Sequence, residues 1–76
     1  MTLTELCAAV LGLAAEQVDD TTAAATTGGW TSLAHVQLVV ALEDAYGVTL
    51  SAAEIRRLTS VGAIRAALAG KGVVVG

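Results

Sequence analysis

Sixteen alanines, with no proline and no phenylalanine in 76 residues, leave this chain little to build from except thin helices packed close together. Alanine is the strongest helix former, whereas sheets draw on aromatic and β-branched side chains. The remaining apolar residues are mostly Leu, Val and Ile, 22 in all, and Trp30 and Tyr46 are the only aromatics. Gly28, Gly29, Gly47, Gly62 and Gly70 supply the punctuation that proline would otherwise give. At this length the chain reads as one domain, residues 1–76, whose single core is marginal. A cleft between two lobes does not fit in it. That argues against an enzyme and for a binding or carrier role.

Local signals divide the chain into four helices. Thr2-Leu3-Thr4-Glu5 has the capping-box pattern, with Met1 and Leu6 set as a hydrophobic staple, and Leu3, Leu6, Cys7 and Val10 recur at helical spacing. The first helix is expected over 2–12. A long loop over 13–31 follows, rich in Thr and Ala, anchored by Leu13 and Val18, with Ala14 to Val18 able to add a helical turn. A loop of that length in a small domain is often functional. Thr31 or Ser32 caps a second helix over 32–46, which stops at Gly47. Ser51-Ala52-Ala53-Glu54 is a second capping box, stapled by Leu50 and Ile55, and opens a short helix over 52–58. Thr59 or Ser60 starts the last helix, 60–69, with Val61, Ile64 and Leu68 on one face and Gly70 as its close; residues 71–76 are expected to fray. The fold class is all-α.

Charge is distributed unevenly. All seven acids precede residue 56 and all four bases lie at or after it, for a net charge of −3. Most of the chain is therefore acidic, which disfavours a nucleic-acid reader of the helix-turn-helix kind and suits partners with basic docking surfaces. Cys7 is the only cysteine, so no internal disulfide forms, and among Leu6, Ala8 and Ala9 it reads as a small buried hydrophobe. No signal peptide and no apolar stretch of spanning length are present, so no membrane partner is expected and the default is a soluble, cytoplasmic monomer.

The second helix carries the functional reading. At a hundred degrees per residue, Leu38, Leu42, Tyr46, Val39 and His35 share one sector, with Ala34 and Ala45 at its edge. Ser32, Leu33, Val36, Gln37, Val40, Glu43 and Asp44 fall opposite. Three aliphatics on a surface the core does not claim, rimmed by acids, mark a partner-binding face. Ser32 stands at the helix N-terminus, where free amides and the helix dipole accommodate an anion such as a phosphodiester. On spacing alone, an ordinary N-cap serine accounts for the position as well.

Trp30-Thr31-Ser32-Leu33-Ala34-His35-Val36-Gln37-Leu38, then Ala41-Leu42-Glu43-Asp44-Ala45-Tyr46-Gly47-Val48, resembles the acyl carrier protein family, with its Asp-Ser-Leu signature and its Leu-Glu pair before an aromatic residue and Gly. Leu50, Ile55, Leu58-Thr59-Ser60-Val61, Ile64 and Leu68 follow the same pattern without a gap, so the likeness covers about 28–69 well and the first helix loosely. The resemblance implies a four-helix bundle with a short third helix. It implies that Ser32 accepts 4'-phosphopantetheine from coenzyme A by way of a phosphopantetheinyl transferase, and that the arm's thiol holds an acyl or aminoacyl group as a thioester. Leu33, Val36, Gln37, Val40, Glu43 and Asp44 would be the face read by the loading enzyme and by downstream synthase or tailoring enzymes. Two positions depart from the pattern. Thr31 stands where the family typically has Asp, which puts the efficiency of modification and the choice of transferase in question; Ala34 and Gln37 stand where acids are frequent, which shifts recognition toward apolar contact. The Ala-, Val- and Gly-heavy composition hints at a GC-rich bacterial genome. A chain that starts with Met and ends soon after the last helix is expected to be a free-standing carrier serving polyketide or mixed polyketide–peptide assembly, with a module excised from a larger synthase as the other reading. The alternative is an unmodified helical interaction module.

The remaining conspicuous residues have plain readings. His35 is expected to pack or cap, since no third group orients it toward Ser32. Trp30 packs over the loop and the start of the second helix, or touches the arm or a partner, and Tyr46 is core. Gly28-Gly29 makes a loop turn, no phosphate-loop pattern being present. Asp19-Asp20 lacks the ligand spacing of a calcium loop and no Cys/His cluster exists for zinc, so no metal and no catalytic residue is assigned.

Overall fold

Every α-helix begins where a hydroxyl can cap it. In the computed structural model, which describes residues 1–74, Thr2 accepts from the Glu5 amide at 3.1 Å, Thr31 from Ala34 at 3.1 Å, Ser51 from Glu54 at 3.2 Å and Ser60 from Ala63 at 3.0 Å. Each such cap satisfies an amide that the helix itself leaves without a partner, worth roughly 1 kcal/mol apiece. At Thr2 and Ser51 the glutamate three residues on reaches back to the cap amide, so both capping boxes close. The helices are α1 (Leu3–Leu11), α2 (Ser32–Tyr46), α3 (Ala52–Arg57) and α4 (Val61–Gly70). No strand occurs among the described residues; one isolated bridge joins Ala23 to Ser60. The architecture is an all-α four-helix bundle whose third helix is short.

The core is aliphatic, as the composition requires. Leu3, Leu38, Leu42, Leu58, Val61, Ile64 and Leu68 are almost wholly buried, with Cys7 among them. Desolvation raises the Cys7 thiol to about 11, against a weaker lowering by Arg65, so it stays protonated and inert at neutral pH. Leu50 is buried and Ile55 packs partly against the core. Met1 is 88% exposed, so the staple expected at α1 does not form: its side chain projects past the cap into solvent. Tyr46 lies at the margin, half-buried, because it occupies the last turn of α2, where the neighbouring Ala45 is already exposed.

The stretch between α1 and α2 is more ordered than its composition suggests. It contains two single turns of 3-10 helix, Ala15–Gln17 and Ala24–Thr26. Asp19 accepts from the Thr21 amide, and Thr22 from Asp19, pinning a local turn. Backbone bonds then tie the segment to the start of α4: Ala24 N–H to Thr59 O, Val61 N–H to Thr22 O and Gly62 N–H to Asp20 O. Arg65 closes the same junction on Asp20 at 3.1 Å. Two C-terminal expectations are corrected. Gly70 is still helical, and the left-handed turn falls at Gly72, φ 79°, a conformation that suits a residue with no β-carbon. Residues 71–73 are not frayed, because Lys71 pairs with Glu54 and the Val73 amide bonds Leu68 O as its side chain packs on the core. Val75 and Gly76 of that expected tail lie outside the described residues.

Candidate functional site

Thr31, not Ser32, is the N-cap of α2, and this decides what the serine is free to do. The Thr31 hydroxyl takes the Ala34 amide and the Thr31 carbonyl takes the His35 amide. Ser32 is therefore the first helical residue. Its side chain is exposed and makes no hydrogen bond among the described residues. The amides of Ser32 and Leu33 also have no protein partner there, and they point out of the helix end that carries the positive pole of the dipole. A nucleophilic hydroxyl thus stands beside two open amide donors, an arrangement that accepts a tetrahedral anion without rearrangement.

The segment leading into this serine is held from below. Trp30 is buried, only 6% exposed, and its indole Nε1 donates to His35 Nδ1 at 3.0 Å. The ring centroids lie 6.2 Å apart with 27° between planes, so the bond joins the two rings edge to edge. Because Nδ1 accepts, Nε2 carries the ring proton and donates to the Ile55 carbonyl at 2.9 Å. His35 thereby ties the first turn of α2 to α3, a packing role that leaves neither nitrogen for chemistry on Ser32. Sequence spacing put His35 on the inward side of the helix; its link to Ile55, twenty residues away, had no local signal. Gly29 lets the loop pass against the end of α1, where a β-carbon would sit 2.5 Å from the Leu11 carbonyl oxygen.

On the outward side of α2, Leu33 is 69% exposed, Val36 60% and Val40 61%, and Gln37 and Asp44 are exposed with them. Glu43 differs. Its carboxylate accepts the Leu50 amide at 2.8 Å and is half-buried, so it braces the turn between α2 and α3. The exposed acid on this face is Asp44. In the loop between α1 and α2, Asp19 and Asp20 are engaged by Thr21 and Arg65, and no group of three metal-ligating side chains occurs among the described residues.

Residues 2–68 match the model of a known family, that of the phosphopantetheine attachment site. The chain belongs to that family. It is a carrier, not an enzyme, and the group it holds covalently is 4'-phosphopantetheine. The residues present fit such a group, since a bare hydroxyl and two free amides meet at the start of α2. No curated protein matches the chain. None of its described helices is long and apolar enough to cross a membrane.

Proposed function

We propose that Ser32 Oγ is the attachment point, and that the carrier presents acyl or aminoacyl cargo to a succession of enzymes. The observation that carries this reading is the uncovered, unbonded Ser32 side chain next to the open amides of Ser32 and Leu33. Thr31 in place of the family's usual Asp keeps the cap intact: its hydroxyl accepts from Ala34 and retains a proton to donate. It adds no negative charge beside the phosphodiester. Once bound, the arm supplies a terminal thiol that holds cargo as a thioester. The protein's own residues hold the anionic root of that arm and offer the surface that partners read.

That surface is Leu33, Val36, Gln37, Val40 and Asp44, with Glu43 at its edge. Its apolar character and single fully exposed acid suit a phosphopantetheinyl transferase, a loading enzyme and downstream synthase or tailoring enzymes that dock mainly by apolar contact. We place the carrier in polyketide or mixed polyketide–peptide biosynthesis, as a cytoplasmic monomer. The lone protonated thiol of Cys7 and the absence of paired cysteines accord with a reducing compartment.

Intact-mass measurement after incubation with coenzyme A and a broad-range phosphopantetheinyl transferase tests the assignment. The wild type is expected to gain one phosphopantetheine mass and Ser32→Ala none. No gain with several transferases would favour an unmodified interaction module, with Thr31 as the mark of lost modification.

A further inference from the structure

An open depression of about 410 Å³ adjoins the candidate attachment point, lined by Ala24, Trp30, Thr31, Ser32, His35 and Val36. Its polar atoms are largely spent on one another. The indole N–H is bound to His35 Nδ1, His35 Nε2 to the Ile55 carbonyl, and the Thr31 oxygen accepts from Ala34. Apart from the Ser32 hydroxyl the lining is mostly apolar: Ala24 and Val36, with the two rings of Trp30 and His35 behind them. The rings are locked by their mutual hydrogen bond and by that of His35 to the Ile55 carbonyl, so these walls are pre-formed.

We propose that this depression is a binding site for the branched alkyl segment at the root of the phosphopantetheine arm. The inference rests on Ser32 as the attachment point. In 4'-phosphopantetheine the phosphate is followed by one ester oxygen, one methylene and then a quaternary carbon bearing two methyl groups. With the phosphodiester at the open amides of Ser32 and Leu33, that dimethyl carbon is the first apolar part able to reach a wall that Ser32 itself borders. Tethering makes the contact intramolecular, at an effective concentration on the order of mM, so a modest apolar surface is enough to hold it. The hydroxyl and amides further along the arm would find no polar partner in the depression, and so run outward. The arm is thus held at its root and free at its thiol. Val36 changes role on modification, from an exposed part of the α2 face to one partly covered by the arm.

Trp30 is the only tryptophan, which gives the test a readout independent of cargo transfer. Isotope-labelled protein would be converted with coenzyme A and transferase, with completeness confirmed by intact mass. NMR would then seek through-space contacts between the dimethyl protons of the arm and the methyls of Val36 and Ala24, together with movement of the Trp30 indole N–H signal. Both are expected in wild type, with a change in Trp30 emission. Val36→Asp, at an exposed position, is expected to keep its melting temperature and to lose the contacts and the emission change. Fully modified wild-type protein with no such contact, and Trp30 signals unmoved, would overturn the proposal whatever the variant does. A mass gain that persists in Ser32→Ala would instead remove the attachment reading beneath it.

Discussion

Two adjacent glycines before Trp30 make different demands. At Gly28 an added β-carbon meets nothing within 4 Å, whereas at Gly29 it lands 2.5 Å from the Leu11 carbonyl oxygen and within 3.7 Å of its carbon. Those atoms belong to the end of α1 and cannot swing aside as a flexible side chain would. Gly29→Ala is therefore expected to cost about 1–3 kcal/mol, the usual range for forced backbone movement. Gly28→Ala should stay within about 0.5 kcal/mol of wild type. Denaturant unfolding of the two variants makes the comparison, and equal costs would mean that the loop does not rest on α1. The sequence showed that this pair belonged to a loop. It could not show which of the two was pressed against a neighbour, because that depends on where a segment eighteen residues away comes to lie. The same limit governs Thr31 and Ser32: either could cap a helix by type, and only the geometry assigns the cap to Thr31 and frees the serine.

At the scale of elements, α3 is the one held least by burial. It has six residues and no fully buried side chain within its span, so polar ties at its two flanks matter more than elsewhere. His35 holds the Ile55 carbonyl on one side; on the other Glu54 closes the capping box and pairs with Lys71 at 2.8 Å. The hydrogen bond from Lys71, then that from the Ser51 amide, bring the Glu54 carboxyl from 4.5 down to about 2. Because the folded state favours the ionised form, this contribution is complete above about pH 4.5 and is lost as pH falls toward 2. Asp19 and Glu5 are lowered in the same sense, by Thr21 and Thr2, and add to the slope. Denaturation at a series of pH values should show stability declining across that window. Glu54→Gln, which can still accept the Ser51 amide, should flatten part of the decline; an unchanged slope would show that Glu54 is not its source. The capping box was legible from its spacing. The Lys71 partner was not, since its segment carries no periodicity and looks like a loose end until α4 brings it back to α3.

For the molecule as a whole, the decisive property is that α2 has apolar residues on both of its sides. Leu38 and Leu42 are wholly buried, and Leu33, Val36 and Val40 face water. The helical repeat made that split legible in advance, because only one side of a helix can meet the core of a domain this thin. The loop's ties to α4 were invisible to the same reasoning, for they are backbone bonds indifferent to side-chain type. The split predicts opposite consequences for one chemical change made two residues apart. Leu42→Asp places a carboxylate where no water reaches, at a cost of several kcal/mol, comparable with the whole stability of a domain whose net folding free energy is about 5–15 kcal/mol. Cooperative unfolding should disappear. Val40→Asp leaves its side chain in solvent and should shift stability by no more than about 0.5 kcal/mol, yet place a charge in the middle of the apolar patch that partners are proposed to read. Circular dichroism melting separates the two effects on folding, and transfer of cargo by fully modified Val40→Asp protein reports on the patch. A Val40→Asp protein less stable than Leu42→Asp would mean that the two sides of α2 are exchanged. A Val40→Asp protein that folds and exchanges cargo at the wild-type rate would leave the face exposed but unread, and the apolar residues there would need another occupant.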